Sequence, residues 1–158
     1  MAADATGGRF DPAPSFKFYV ELEGIIVGEF TECSGLTMQR KFEEYREGGV
    51  NDYVHKLPGR TEYSNITLKR GITYSQDLWD WYLEGLYDGK VKRINLSIIL
   101  GNSEGKKVKQ WDVLDAYPVK WTGPRLNTGS RDVAIEEIEI VHHGLSLSTE
   151  VGTSMGLV

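Results

Sequence analysis

Residues 31–72 read TECSGLTMQRKFEEYREGGVNDYVHKLPGRTEYSNITLKRGI, two extended arms joined by a long loop. The first arm, Leu36 to about Arg46, carries charged or amide side chains on both faces of its two-residue alternation from Gln39 onward. A strand polar on both faces cannot lie inside one monomeric core. The returning arm, Glu62 to Arg70, puts Ile66 and Leu68 on one face and Asn65, Thr67 and Lys69 on the other, the pattern of a half-buried antiparallel strand. Between them, in EGGVNDYVHKLPGR, Gly48-Gly49 permits positive φ and Pro58-Gly59 suits the centre of a type II turn. A connection this long inside a compact domain is usually functional or disordered. Tyr53, Val54 and Leu57, beside Lys56 and Arg60, are apolar groups that a solvated linker does not need. The stretch is therefore expected to be buried by another chain.

Upstream, Phe16, Phe18, Val20 and Leu22 alternate with Lys17, Tyr19 and Glu21 in a first strand. Glu23-Gly24 is a tight-turn candidate, and residues 25–32 pair back as a hairpin in which Gly28 marks a bulge or a close approach. Ser34-Gly35 ends that strand. Residues 1–15, with Gly7-Gly8, Pro12 and Pro14 and no periodicity, read as a flexible arm.

Downstream, Leu78, Trp79, Tyr82, Leu83 and Leu86 recur at helical offsets, with Asp77, Asp80, Glu84 and Asp88 opposite. The spacing predicts one helix over about residues 75–88, N-capped by Thr73 with Gln76 or by Ser75, and closed by Gly89 at C′. The five apolar residues form its packing face, a plug for a sheet or barrel. Ile94, Leu96, Ile98 and Leu100 make the next strand, and Asn102-Ser103-Glu104-Gly105 the hairpin turn after it. In the long strand that follows, Trp111, Val113, Tyr117, Val119 and Trp121 share the odd face, interrupted by Asp115, with Pro118 at an edge or bulge. The final strand holds Val133 and Ile135 in one register and Ile138 and Ile140 in the other. A β-bulge at Glu136-Glu137 is expected to reconcile them.

These elements predict a mainly β fold: a small barrel or sandwich of about seven or more strands, capped by one helix, with a long inter-strand loop at about 47–61. The chain's 158 residues suit one domain over 16–145, between the N-terminal arm and a C-terminal tail over 146–158 that orders on a partner. Cys33 is the sole cysteine, so no intrachain disulfide forms, and a small buried thiol is its expected role. No apolar run is long enough to span a bilayer and no signal peptide is recognisable, so no membrane insertion is expected. A formal net charge of −5 with interspersed signs gives no footprint for sequence-specific nucleic-acid binding.

Catalytic signals are missing from the same residues. His142-His143 are neighbours on a strand and point to opposite faces, so they cannot chelate one metal. Gly48-Gly49 and Gly7-Gly8 lack the setting of a phosphate cradle, and Ser34-Gly35 is no nucleophile elbow. The reading is of a non-enzyme with no cofactor and no metal.

The order and spacing of FKFYVELEGIIVGEFTECSGL, YREGGVNDYVHKLPGRTEYSNITLKRGIT, LWDWYLEG and SRDVAIEEIEIVHHGL resemble the tail tube proteins of contractile phages and extracellular contractile injection systems. Their general character is also similar to the Hcp ring protein of type VI secretion. The resemblance implies a barrel-like protomer that forms six-fold rings, with rings stacked into a hollow tube inside a contractile sheath. Its implied partners are further copies of itself, the sheath, baseplate and tube-terminator proteins, and cargo in the lumen. Its implied location is the producing cell's cytoplasm before and during assembly, and then the phage-tail-like particle. By the same analogy the inter-ring stacking loop comprises Tyr45, Glu47, Gly48, Gly49, Asn51, Lys56, Leu57, Pro58 and Gly59, with Arg60 beside them. The glycines and proline would give backbone shape, Tyr45 and Leu57 packing, and Glu47 and Lys56 cross-ring pairing. The competing reading is a monomeric binding module whose pocket lies between the helix face and the long loop.

Overall fold

Alternating side chains and intervening turns produce ten strands and one helix in the computed structural model, which describes residues 17–148 apart from 24, 50, 51 and 88. In order they are β1 (Lys17–Leu22), β2 (Ile25–Phe30), β3 (Glu32–Ser34), β4 (Met38–Tyr45), β5 (His55–Tyr63), β6 (Ile66–Gly71), α1 (Asp77–Leu83), β7 (Ile94–Gly101), β8 (Lys107–Thr122), β9 (Ile135–Val141) and β10 (Gly144–Ser148). The N-terminal arm over 1–15 lies outside the described residues, as does the tail from residue 149.

The main sheet runs β2-β1-β7-β8-β9-β6-β3, with β10 also paired to β8. Its two ends, β2 and β3, are separated in sequence by Thr31 alone, whose amide donates to the Lys69 carbonyl at 2.8 Å. One continuous segment therefore draws the edges together, and the sheet curls into a small barrel. β9 and β10 follow one another along the same edge of β8, from Thr122↔Glu137 to Gln110↔Ser148. The 16-residue β8 thus ties both halves of the sheet together.

The core is where the inward faces meet: Val20, Phe30, Ile66, Leu68, Leu96, Ile98, Val113, Ile138 and Ile140, closed by Leu78 and Trp81 of α1. Gly28 stands at the expected bulge, where the β1–β2 register shifts. Asn102 closes the β7–β8 turn by accepting from the Glu104 and Lys106 amides at 3.0 and 2.9 Å, with Gly105 at φ 76°.

Several expectations are corrected. No bulge occurs at Glu136-Glu137: β9 pairs regularly with β6 from Gly71↔Ile135 to Ile66↔Ile140. Ile135 faces out, half exposed, and Glu136 takes the inward position in line with Ile138 and Ile140. Glu136 can sit there because Arg70, directly opposite it, is also buried and donates through Nε to its carboxylate. Trp121 Nε1 donates to the other carboxylate oxygen at 3.3 Å, and the Arg70 guanidinium lies 5.8 Å from the Phe30 ring centre. A paired, hydrogen-bonded carboxylate can occupy a core position that a lone one could not.

In β8 the odd face does not run through. Asp115 adopts φ 51° and the register against β7 shifts, so Val113 and Ala116 both point inward. A second shift, between Pro118 and Lys120, is the bulge expected at that proline and returns Trp121 to the inside opposite Ile138.

The helix is shorter than its apolar pattern suggested. Gln76 is its N-cap and makes no side-chain cap; the hydroxyls of Thr73 and Ser75 instead accept from the Ser75 and Asp77 amides. It ends at Leu83, with Glu84 as C-cap; Gly85 then passes so close to the Val91 backbone that a Cβ would lie 3.0 Å from it, and Gly89 (φ 64°) falls beyond the C-cap. Leu78 and Trp81 are its buried residues; Tyr82 and Leu83 are half-buried. Trp79 is 41% exposed, edge-on to Trp121, and Leu86 is 58% exposed. Leu78 of the expected stripe is thus buried with Tyr82 and Leu83 beside it, Trp79 and Leu86 are exposed, and Trp81 is the second buried residue. The tail begins later than expected, since residues 144–148 form β10 against β8.

Candidate functional site

The stretch expected to be a long loop is mostly paired strand. β4 and β5 form a separate two-stranded sheet, from Met38↔Tyr63 to Tyr45↔His55, that leaves the barrel as an arm. Among the described residues, only 46–49 and 52–54 at the tip are irregular. All of β4 is exposed, and β5 is exposed apart from its two end residues. Pro58-Gly59 makes no turn. The register slips between Arg40↔Thr61 and Phe42↔Pro58, so Gly59 and Arg60 together oppose Lys41 in a β-bulge, a position that tolerates proline. A Cβ on Gly59 would lie 3.0 Å from the Lys41 carbonyl oxygen, which explains the glycine.

Paired residues share a face. One face of the arm carries Met38, Phe42, Pro58 and Tyr63 with Arg40 and Lys56; the Lys56 ammonium sits 5.1 Å from the Phe42 ring centre. The other carries Gln39, Lys41, Glu43, Leu57 and Glu62, with a 2.7 Å ion pair between Lys41 and Glu62. Near the tip, Glu47 accepts from or pairs with His55 Nε2 at 3.1 Å, and Tyr53 packs edge-on against the same imidazole. Glu47 and Lys56 thus each have a partner within the protomer's own arm. Tyr45 and Leu57 are more than half exposed, Gly49 takes φ 104°, and Gly48 has open space around it. Asn51 lies outside the described residues. Met38 and Phe42, not among the expected stacking residues, alternate with Arg40 in the sequence, the spacing that puts all three on one face of the arm.

The root of the arm is braced. Gly35, at φ 87°, lies against the other strand so closely that a Cβ would come within 1.9 Å of the Asn65 carbonyl oxygen. The Ser64 amide donates to Thr37 O at 3.3 Å. Buried His142 places Nε2 3.0 Å from the Ser64 carbonyl and Nδ1 3.1 Å from that of Gly144, linking the arm to the β9–β10 junction. His143 instead faces solvent beside Arg93 and Asp115. Among the described residues no group of three His, Cys, Asp or Glu side chains is placed to hold a metal. Burial pushes the Cys33 thiol up to about 11. The cavity beside the helix, about 140 Å³, is lined by α1, Val91 and Pro118-Val119 and by no residue of the arm.

Residues 14–146 match the family model of the T4-like virus tail tube protein gp19. No curated protein matches the sequence. Among solved structures, the chain is similar to one in the sheath–tube complex of an extracellular contractile injection system, PVC, in its extended state. They share 27% identity and a TM-score of 0.77, over 94% of this chain and 99% of that one. It is similar to a chain of the tube-terminating cap of the anti-feeding prophage, at 28% identity and TM-score 0.77, over 88% and 92% of the two chains. A third similar chain belongs to the six-fold symmetrised baseplate of the anti-feeding prophage, at 25% identity and TM-score 0.74, over 87% and 95%.

Proposed function

Because the chain belongs to the T4-like virus tail tube protein family, we propose that it is the inner-tube subunit of a contractile injection particle or phage-like tail. Copies close into hexameric rings, and the rings stack into a hollow tube held inside a contractile sheath between a baseplate and a terminator. Contraction drives the tube through a target envelope, and the lumen conducts cargo. The observation that carries this reading is the arm. β4 and β5 expose both faces, including Met38, Phe42, Tyr45 and Leu57, each more than half exposed. Covering such groups yields about 25 cal/mol per Å² of apolar area, gained once per copy in every ring. Residues 45–60 are the inter-ring stacking element in this reading.

The wall that would face the channel is the outer side of β3, β6 and β9. That outer face carries Glu32, Thr67, Lys69, Glu137 and Glu139, with Lys69 paired to Glu32 at 3.2 Å and near Glu137 at 3.9 Å. Along the ladders this face is polar and mildly acidic, with Ile135 at its end, so a translocated polymer meets few apolar groups there. Assembly proceeds in the producing cell. Size-exclusion chromatography with negative-stain microscopy of the purified protein tests the proposal: rings or tubes are expected, and a stable monomer at all concentrations would favour the binding-module reading.

A further inference from the structure

The arm leaves the barrel at one end, between Ser34 and Ile66. The six-residue strand β6 then runs to Gly71, a span of about 17 Å at about 3.3 Å per step. At that opposite end Gly71 pairs with Ile135, and the Ile72 amide donates to Ala134 O at 3.0 Å. A group of large apolar side chains stands exposed around this pairing: Ile72 50%, Tyr74 105%, Leu126 85%, Val133 77% and Ile135 44%. Val133 and Ile135 help line an open cavity of about 380 Å³, together with Arg125, Asn127, Ser130 and Asp132.

Resting on the reading of the arm as the stacking element, we infer that this far-end patch is its acceptor, occupied by the arm of a second copy in the next ring. Stacking rings in one direction is a head-to-tail contact, so the surface offered at one end of the protomer must meet a different, complementary surface at the other. Both ends expose apolar groups, Tyr45, Tyr53 and Leu57 on the arm against Leu126, Val133 and Ile135 at the far end. Their charges also oppose. The outer half of the arm, residues 43–57, carries Glu43, Glu44, Glu47 and Asp52 against Arg46 and Lys56, a net −2, whereas residues 123–134 carry Arg125 and Arg131 against Asp132, a net +1. Arg125, in the cavity wall, is placed to meet an arm carboxylate.

Three proteins test the assignment by negative stain and sedimentation. The first has residues 48–54 replaced by a short Gly-Ser link, the second is the full chain with Leu126→Asp and Val133→Asp, and the third combines both changes. The shortened chain should lose long tubes. Mixed with the parent it should also shorten the parent's tubes, since its intact acceptor caps a growing end. The L126D/V133D chain should lose long tubes and keep rings, and the combined protein should leave parent tubes at full length. If the L126D/V133D chain builds tubes like the parent, or the combined protein caps as well as the shortened one, the acceptor assignment is overturned while the arm reading stands. Long tubes from the shortened chain would overturn the arm reading itself.

Discussion

Replacing Glu136 by Gln should destabilise the barrel more than any surface change, because it takes the counter-charge from the buried Arg70 guanidinium. The side chains of Arg70 and Glu136 are 3% and 8% exposed. With the carboxylate replaced by an amide, Arg70 keeps an uncharged acceptor there, the Ser75 carbonyl at 3.5 Å and the face of the Phe30 ring, and the buried guanidinium loses its ion-pair partner. Breaking a buried pair by removing one member costs about 3–5 kcal/mol. At roughly 2–4 °C per kcal/mol for a chain of this size, the melting temperature falls by about 6–20 °C. Arg70→Met should do similar damage by leaving the carboxylate with Trp121 alone. The double change Arg70→Met/Glu136→Gln removes both charges and leaves an amide oxygen at 136 to accept from Trp121, so it should cost much less than the two single changes added together. Thermal unfolding followed by circular dichroism, at one fixed protein concentration so that assembly contributes equally, measures all four proteins. A Tm drop under about 2 °C for E136Q, or a double variant that loses the sum of the two singles, would refute the claim that this pair holds Glu136 in the core.

Gly35→Ala should displace the arm, since its Cβ cannot coexist with the Asn65 carbonyl; faster amide exchange across β4–β5 with barrel protection retained is the expected signature. Leu78→Ala should cost about 2–5 kcal/mol as a core truncation, whereas Leu86→Ala should change the unfolding midpoint little, because Leu86 is mostly exposed. The Cys33 thiol, raised to about 11 by desolvation, should react with disulfide reagents far more slowly at pH 8 than in the unfolded chain. A folded thiol titrating above its unfolded value binds more protons than the open chain between pH 9 and 11, so stability should fall across that window. Unfolding midpoints at stepped pH, compared with Cys33→Ser, isolate the effect.

The local patterns that could be read along the chain were those whose physics is local. Alternation at Phe18-Val20-Leu22 and Ile94-Leu96-Ile98 marks a half-buried strand wherever it occurs, Asn102 to Gly105 can close a hairpin without outside help, and Gly28 and Pro118 signal irregular pairing in any sheet. The two-sided polarity of residues 39–46 was equally plain and pointed to a surface that the protomer alone leaves uncovered. What lay beyond the sequence depended on residues far apart in it. EEIEI reads as a register break until Arg70, 66 positions away, is known to lie opposite Glu136 and make an inward carboxylate tolerable. Pro58-Gly59 has the composition of a turn, and only the presence of Lys41 across the ladder makes it a bulge in a continuing strand. Trp81 stands at the i+3 position from Leu78, on the same helical face, but that spacing does not tell it from Trp79 or Tyr82; the barrel beneath the helix decides which aromatic is covered. Side-chain alternation records which way a residue points; whether that direction ends in water, in a charge partner or in a neighbouring strand is decided by the packing of segments the sequence keeps apart.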